Sequence, residues 1–273
     1  MLPMPRTIAA VAAAVAAAAI GIVAPSAQAA PATTYATNYA ALGDSYSSGV
    51  GTGSYLPDSG SCKRSAKSYP ALWNQAHPGG TFAFAACSGA KTADVRSSQL
   101  SVLNSATQLV TISVGGNDAG FVSTITTCVL SSDSECAAAV NKAKTYATTT
   151  LPGDLDATYA QIRAKAPNAR LVVLGYPRLF ELGSCFLGLS QAKRTVINQA
   201  ADTLDEVTHQ RASAANADFA DVRSRFAGHG VCASNAWVNG VTLPIDESYH
   251  PTTSGQSQGY LPALQAVVGV RAH

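Results

Sequence analysis

Charged residues are scarce in this sequence. Asp, Glu, Lys and Arg make up 12% of its 273 residues, about half of the usual share of roughly 25% in globular proteins. The 18 Lys and Arg residues nearly balance the 16 Asp and Glu residues, and the basic residues form no local cluster. Such a chain lacks the positive surface that nucleic acids and anionic membranes require. We therefore expect no nucleic-acid partner.

The sequence also lacks an apolar run long enough to cross a membrane. Its longest run, from Ile8 to Val23, falls short of the roughly 18 residues that a span needs. This run follows Arg6 and precedes Ala27-Gln28-Ala29, the order of a secretory signal with its cleavage site. We interpret residues 1–29 as a signal peptide and residues 30–273 as one domain. The prediction is a secreted, extracellular monomer with no stable membrane insertion.

No C-x-x-C pair occurs, which argues against a structural zinc site, and we expect no metal. The cysteines number six: Cys62, Cys87, Cys128, Cys136, Cys185 and Cys232. An even number in an exported chain predicts three disulfides, although six cysteines can be connected in many ways. Cys128 and Cys136 flank a short polar segment, which favours a bond between them. Pairing in sequence order is then the simplest arrangement.

Short apolar segments alternate with segments of helical periodicity. The candidate strands are Tyr39–Leu42, Thr81–Ala86, Leu109–Val114, Leu171–Leu174 and Phe219–Val222. Helical spacing appears in three later segments, around residues 154–167, 190–216 and 261–268, whereas Ser47–Lys67 and Phe121–Cys136 are expected to be loops. Strands that alternate with helices predict an α/β fold, a three-layer α/β/α sandwich with a parallel sheet.

Small glycine-containing turns follow the first three predicted strands: Gly43-Asp44-Ser45, Cys87-Ser88-Gly89-Ala90 and Gly115-Gly116-Asn117-Asp118. Parallel sheets bind ligands beyond the carboxyl ends of their strands, where these turns lie. The turns supply a hydroxyl group, a backbone N–H and an amide side chain, and His250 adds an imidazole near the C-terminus. A serine nucleophile needs a base, and an oxyanion needs fixed donors. Together, the three turns and His250 meet both requirements.

This set of motifs resembles the SGNH, or GDSL-type, hydrolase family. The residues that name the family fall, in family order, at Ser45, Gly89, Asn117 and His250. Within the family the sequence is most similar to the secreted actinobacterial lipases and esterases, which combine these blocks with six cysteines. One departure is Tyr46, which stands where the family's first block often has Leu.

The resemblance implies a flavodoxin-like SGNH-hydrolase fold and a secreted carboxylic-ester hydrolase that acts on acyl glycerols and related lipid esters without a cofactor. Ser45 would be the nucleophile and His250 its base. The N–H groups of Ser45 and Gly89, with the Asn117 amide, would form the oxyanion hole. Phospholipase A1 and polysaccharide deacetylase activities are alternatives for the same site. A non-catalytic secreted binding protein on this scaffold is a further alternative.

The group that orients His250 has two candidates. Glu247 lies where many family members carry Asp, and some relatives use a backbone carbonyl instead, here that of Ser248. We favour the carbonyl, because a Glu on an exposed loop is more often a solvated surface charge.

Other residues in the same motifs have simpler interpretations. Asp44, beside the nucleophile, is expected to hold the turn by hydrogen bonds, and Asn117 alone could equally cap a helix. His229 is the main rival of His250, but it lies on a loop where a polar surface role is expected. Gly255-Gln256-Ser257-Gln258-Gly259 matches the G-x-S-x-G nucleophile elbow. It lacks the preceding strand, however, and only the terminal His273 lies downstream.

Overall fold

The computed structural model describes residues 37–186 and 188–269. The predicted signal peptide, residues 1–29, and His273 therefore lie outside the described residues. The strands are β1 (Tyr39–Gly43), β2 (Phe82–Phe84), β3 (Leu109–Ser113), β4 (Arg170–Leu174) and β5 (Asp218–Ala220). They form one sheet in the order β2-β1-β3-β4-β5, and all neighbours are parallel. The predicted parallel α/β sheet is confirmed.

Helices cover both faces of this sheet. They are α1 (Ser45–Ser48), α2 (Tyr69–Ala76), α3 (Thr92–Asp94), α4 (Phe121–Leu130), α5 (Asp133–Thr149), α6 (Leu151–Lys165), α7 (Gln191–Ala214), α8 (Arg223–Phe226) and α9 (Leu261–Gly269). Helices α2 and α9 pack together, as do α6 and α7. Every residue of β1 and β3 is buried, because strands covered on both faces do not alternate between core and solvent.

The expectation of a loop over Phe121–Cys136 is wrong. This segment contains α4 and the start of α5, which the Cys128–Cys136 disulfide joins. Helix α5 begins with a capping box in which the Ser132 N–H donates to the Glu135 carboxylate over 2.9 Å. Its sequence has few large apolar residues, so hydrophobic periodicity does not reveal it.

The six cysteines are bonded in sequence order, as Cys62–Cys87, Cys128–Cys136 and Cys185–Cys232. The first bond connects the segment after α1 with the turn that follows β2. It therefore ties the chain that follows Ser45 to the turn that carries Gly89. Over residues 37–186 and 188–269, no helix is long and apolar enough to cross a membrane.

Candidate active site

The predicted nucleophile lies where the first strand turns into a short helix. Ser45 is the first residue of α1, directly after β1, and only 6% of its surface is exposed. Asp44 caps this helix by accepting a hydrogen bond from the Tyr46 N–H over 3.0 Å. An N-cap carboxylate satisfies a donor that the helix itself cannot pair. The cap and the strand together fix the direction of the Ser45 side chain.

Ser45 and His250 are in direct contact although 205 residues separate them. The Ser45 Oγ lies 2.8 Å from His250 Nε2, and His250 Nδ1 lies 3.0 Å from the backbone oxygen of Ser248. A carbonyl oxygen only accepts hydrogen bonds, so Nδ1 carries the imidazole proton. His250 Nε2 is then an acceptor for the Ser45 hydroxyl, which is the tautomer that a general base needs.

Burial sets the charge of this imidazole. His250 is 8% exposed, and burial lowers its pKa to about 4, although the Ser248 carbonyl and the nearby Asp246 act in the opposite direction. The ring is therefore neutral at neutral pH. A neutral imidazole can take the serine proton without first losing one of its own.

Neither nearby carboxylate reaches the imidazole. The Glu247 carboxylate accepts a hydrogen bond from the Tyr55 hydroxyl over 2.7 Å, and Asp246 forms an ion pair with Lys63. The expectation that Glu247 is a solvated surface charge is wrong, because only 7% of its surface is exposed. The buried Glu247 carboxylate bonds to Tyr55, and the group that faces His250 Nδ1 is the Ser248 carbonyl.

The three predicted oxyanion donors come from the ends of β1, β2 and β3. Within the described ranges, the N–H groups of Ser45 and Gly89 donate to no protein acceptor. Gly89 has a φ of 78°, which few other residues adopt, and a Cβ there would meet nothing within 4 Å. Its N–H is thus held in an open turn.

The amide of Asn117 is tied to the same turn. Its Nδ2 donates to the Ala90 carbonyl over 3.1 Å, next to Gly89. The alternative that Asn117 caps a helix is wrong, because α4 begins at Phe121 and its cap position is Gly120. Asn117 and Ser45 line one cavity.

Asp44 connects the turn at Ser45 to neighbouring strands and loops by hydrogen bonds. Its carboxylate accepts hydrogen bonds from the Ser113 hydroxyl over 3.0 Å and from the Tyr176 hydroxyl over 2.5 Å, besides the Tyr46 N–H. Burial raises the pKa of Asp44 to about 6, although these hydrogen bonds oppose the shift. The contacts agree with a residue that holds the turn.

The sequence analysis does not identify Tyr176, although its position after a strand is informative. It follows β4 directly, in Gly175-Tyr176-Pro177. The rule that parallel sheets build sites at strand ends, applied to the fourth strand as to the first three, would have pointed to it.

A narrow apolar cavity of about 80 Å³ opens beside Ser45. It runs among α4, α5 and α7, and its apolar lining includes Phe121, Ile125, Val140, Ala147, Ile197 and Leu204. The cavity therefore suits an apolar group.

The rival histidines pack elsewhere. The His229 ring stacks on Trp237 with 3.6 Å between ring centroids, and its Nδ1 bonds to the Asn235 carbonyl. His77 stacks on Trp73, and His209 on Phe219. Within residues 37–186 and 188–269, no group of three potential metal-ligating side chains is found.

The G-x-S-x-G segment is part of the turn into α9 and follows no strand. A Cβ on Gly259 would lie 2.3 Å from the Phe226 ring, so this glycine permits close packing. Gln256, in the same segment, bonds through its side chain to the Tyr46 carbonyl and the Tyr69 N–H. Close packing therefore explains the glycine at position 259, and Gln256 stabilises the turn at Ser45 through its bond to Tyr46.

The known proteins that this chain resembles include lipases. Residues 41–258 match the model of the GDSL-like Lipase/Acylhydrolase family. The chain is 56% identical over 232 residues to a protein named Lipase from Streptomyces rimosus, which covers 85% of this chain and 87% of that protein. It is also 56% identical over 230 residues to Lipase 1 from Streptomyces coelicolor, covering 84% and 86% of the two chains.

Solved structures with the same fold include two similar sequences. The extracellular lipase from Streptomyces rimosus superposes with a TM-score of 0.84 at 55% identity, covering 85% of this chain and all of that one. Phospholipase A1 from Streptomyces albidoflavus superposes with a TM-score of 0.83 at 51% identity, again over 85% of this chain and 100% of the other.

Proposed function

The chain belongs to the GDSL-like lipase/acylhydrolase family and is a carboxylic-ester hydrolase, and from this premise we propose that Ser45 and His250 carry out the reaction. The observation that carries this assignment is the aligned set of Ser45 Oγ, both His250 ring nitrogens and the Ser248 carbonyl, with contacts of 2.8 and 3.0 Å. Each contact has the polarity that proton removal from the serine requires.

The proposed reaction proceeds through an acyl-enzyme. His250 Nε2 takes the hydroxyl proton as the Ser45 Oγ forms a bond to the ester carbonyl carbon. The resulting oxyanion accepts hydrogen bonds from the N–H groups of Ser45 and Gly89 and from the Asn117 amide. The C–O bond to the alcohol then breaks, and the alcohol receives the proton from His250. Water repeats the sequence on the acyl-enzyme and releases the acid.

We propose that the substrates are lipid esters with an extended acyl chain. The apolar cavity that begins at Ser45 supports this choice, because it offers a hydrocarbon chain a wall of carbon atoms. A small acetyl group would leave most of the cavity unfilled, which disfavours polysaccharide deacetylation. Phospholipase A1 activity is the second candidate, and the Streptomyces albidoflavus structure favours it.

Export is also part of the proposal. The three disulfides suit an oxidising compartment, and the Streptomyces rimosus relative is described as extracellular. We propose that residues 1–29 direct secretion and are removed, and that the mature chain acts as a monomer. N-terminal sequencing of the protein from culture medium would test the cleavage site.

The assignment is tested by labelling and by a substrate profile. A fluorescent organophosphonate should label the wild-type protein and the Ser257→Ala variant, but not Ser45→Ala. Unchanged labelling of Ser45→Ala would contradict the proposed nucleophile, and no labelling of the wild type would favour the binding-protein alternative. Hydrolysis rates for triglycerides, phosphatidylcholine and acetylated xylan should be highest for one of the two lipids.

A further inference from the structure

Tyr46 connects the nucleophile turn to the loop that carries His250. Its side chain is buried, and its hydroxyl donates to the backbone oxygen of Tyr249 over 2.7 Å. That oxygen belongs to the peptide unit whose N–H is that of His250. A hydrogen bond here restricts the rotation of the peptide plane that leads into the imidazole.

The peptide unit needs such a restraint because its backbone is strained. Tyr249 has a φ of 61°, in the left-handed region that a bulky residue rarely adopts. The Tyr249 N–H donates to the Asn239 carbonyl over 3.0 Å, and the His250 carbonyl accepts from the Asn239 N–H over 2.9 Å. Asn239 therefore holds the two flanking peptide units. Within the strained unit itself, the His250 N–H donates to the Glu247 carbonyl over 3.3 Å, and the Tyr249 carbonyl accepts from the Tyr46 hydroxyl.

The ring of Tyr46 also contacts the imidazole. The two ring centroids are 5.2 Å apart and the planes are tilted by 45°. The backbone of Tyr46 is fixed in turn, since its carbonyl accepts from Gln256 Nε2 over 3.0 Å and its N–H donates to Asp44. Hydrogen bonds thus hold both the backbone and the side-chain hydroxyl of Tyr46.

We propose that Tyr46 is a positioning residue that sets the distance and angle between Ser45 Oγ and His250 Nε2. The Tyr46 hydroxyl makes no bond to Ser45 Oγ or His250 Nε2, and it acts on their geometry through the Tyr249 carbonyl, while the ring packs against the imidazole. The proposal rests on the catalytic roles given to Ser45 and His250 above. It also gives the Tyr at this position a function that the Leu of many family members cannot perform.

The Tyr46→Phe variant tests the proposal, because it removes one oxygen and keeps the ring. We expect kcat to fall roughly five- to fiftyfold with KM within about twofold of wild type, as small misplacements of reacting groups have large costs. The matched control is Tyr260→Phe. Tyr260 is buried, and its hydroxyl donates to the Gly175 carbonyl over 2.9 Å, away from the imidazole. The control should keep kcat within about twofold.

Proton NMR of the full mature protein supplies a readout that a merely structural residue would not move. The His250 Nδ1 proton bonded to the Ser248 carbonyl should give a downfield resonance in wild type and in Tyr260→Phe. This resonance should shift or broaden in Tyr46→Phe. A kcat within twofold of wild type, or an unchanged resonance, would overturn the proposal.

A second variant keeps the test decisive if Tyr46→Phe does not fold. Tyr46→Leu installs the residue that many family members carry, and we expect its kcat to fall at least as far, because it lacks the ring contact as well. Wild-type kcat in a folded Tyr46→Leu protein would overturn the proposal. The reference variant Ser45→Ala distinguishes failure of the catalytic roles from failure of the positioning role. Activity in Ser45→Ala would refute the catalytic roles themselves. An inactive Ser45→Ala together with a Tyr46→Phe variant of normal kcat would refute the positioning role alone.

Discussion

The proposed nucleophile, Ser45, and its proposed base, His250, are held by two unlike regions. Residues 43–48 are all buried, and the first of them are bonded to the sheet: the Asp44 N–H donates to the Ser113 carbonyl over 2.9 Å, and the Gln99 side chain bonds both backbone groups of Gly43. Residues 239–250 contain almost no regular structure, and Val241, Leu243 and Ile245 are exposed. The sheet fixes Ser45, whereas a few hydrogen bonds within the loop, together with the Tyr46 hydroxyl, fix His250.

This difference has a consequence for mutational sensitivity. Substitution of the proposed nucleophile or of a proposed oxyanion donor should lower catalysis while the fold remains, because the sheet holds the surrounding backbone. Changes in the histidine loop act through the geometry of a few hydrogen bonds. Their effects should depend on whether the altered group faces the imidazole.

The largest expected effect comes from the rigid region. Ser45→Ala removes the nucleophile and should lower kcat by at least about 10³-fold, since nothing in the buried turn replaces its hydroxyl. The Ser257→Ala control, in the segment that packs at the turn into α9, should retain nearly full activity. Circular dichroism of both variants checks folding. Loss of activity in a folded Ser257→Ala protein would revive the rejected nucleophile elbow.

The next effect concerns an oxyanion donor. Asn117→Ala should lower kcat by about 10²–10³-fold with little change in KM, because the amide binds charge that develops only in the transition state. Asn141→Ala, an exposed amide on α5, is the matched control and should behave as wild type. Steady-state kinetics on a soluble ester provide both constants. A change in KM alone would show that Asn117 is a substrate contact instead.

The acid limb of the pH profile reports on the histidine loop. The base must be neutral, and burial lowers the pKa of His250 to about 4. We therefore expect kcat/KM to stay near its plateau at pH 5 and to fall about tenfold per pH unit below 4. An imidazole with an ordinary pKa of about 6.5 would have lost most activity at pH 5. Such a loss would contradict the buried, neutral base.

Two buried groups act oppositely on stability in this interval. The lowered pKa of His250 stabilises the fold above about pH 6.5, and this contribution is lost as pH falls towards 4. Asp44 has its pKa raised to about 6, so the folded state gains stability as this carboxyl takes up a proton between about 6 and 4. The two terms offset each other, and thermal melts at pH 5 and 7 should confirm that the protein stays folded across the profile.

The two regions also differ in how far sequence predicts them. The rule on strand ends points to Ser45, Gly89 and Asn117, because each follows a short apolar strand. No local pattern singles out His250, which rests on resemblance to a family. Two residues support the loop of His250. Tyr46 contacts it from about 200 positions away in the sequence, and Asn239 bonds to the strained backbone at Tyr249. Hydrophobic periodicity carries no information about either contact.

The residues that line the cavity could not be predicted from the sequence for a related reason. Val140 and Ala147 lie on α5, a polar, Ala- and Thr-rich helix that hydrophobic periodicity does not reveal. The capping pattern from Ser132 to Glu135 was the available signal. Its apolar residues gain their meaning only when α5 packs on α4 and α7, which is a tertiary property.

The smallest expected effect is that of Glu247→Gln, and it tests whether the histidine loop uses a carbonyl or a carboxylate. The Glu247 carboxylate accepts from Tyr55, and the oxygen of a Gln side chain can accept the same bond. His250 Nδ1 already donates to the Ser248 carbonyl. We therefore expect kcat to change by less than about tenfold, whereas loss of a true triad carboxylate costs about 10⁴-fold. Glu181→Gln, which alters an acidic side chain that accepts from the Gly230 N–H, is the matched control. A fall of about 10³-fold or more in a folded Glu247→Gln protein, with the control unaffected, would show that this carboxylate orients the base during turnover.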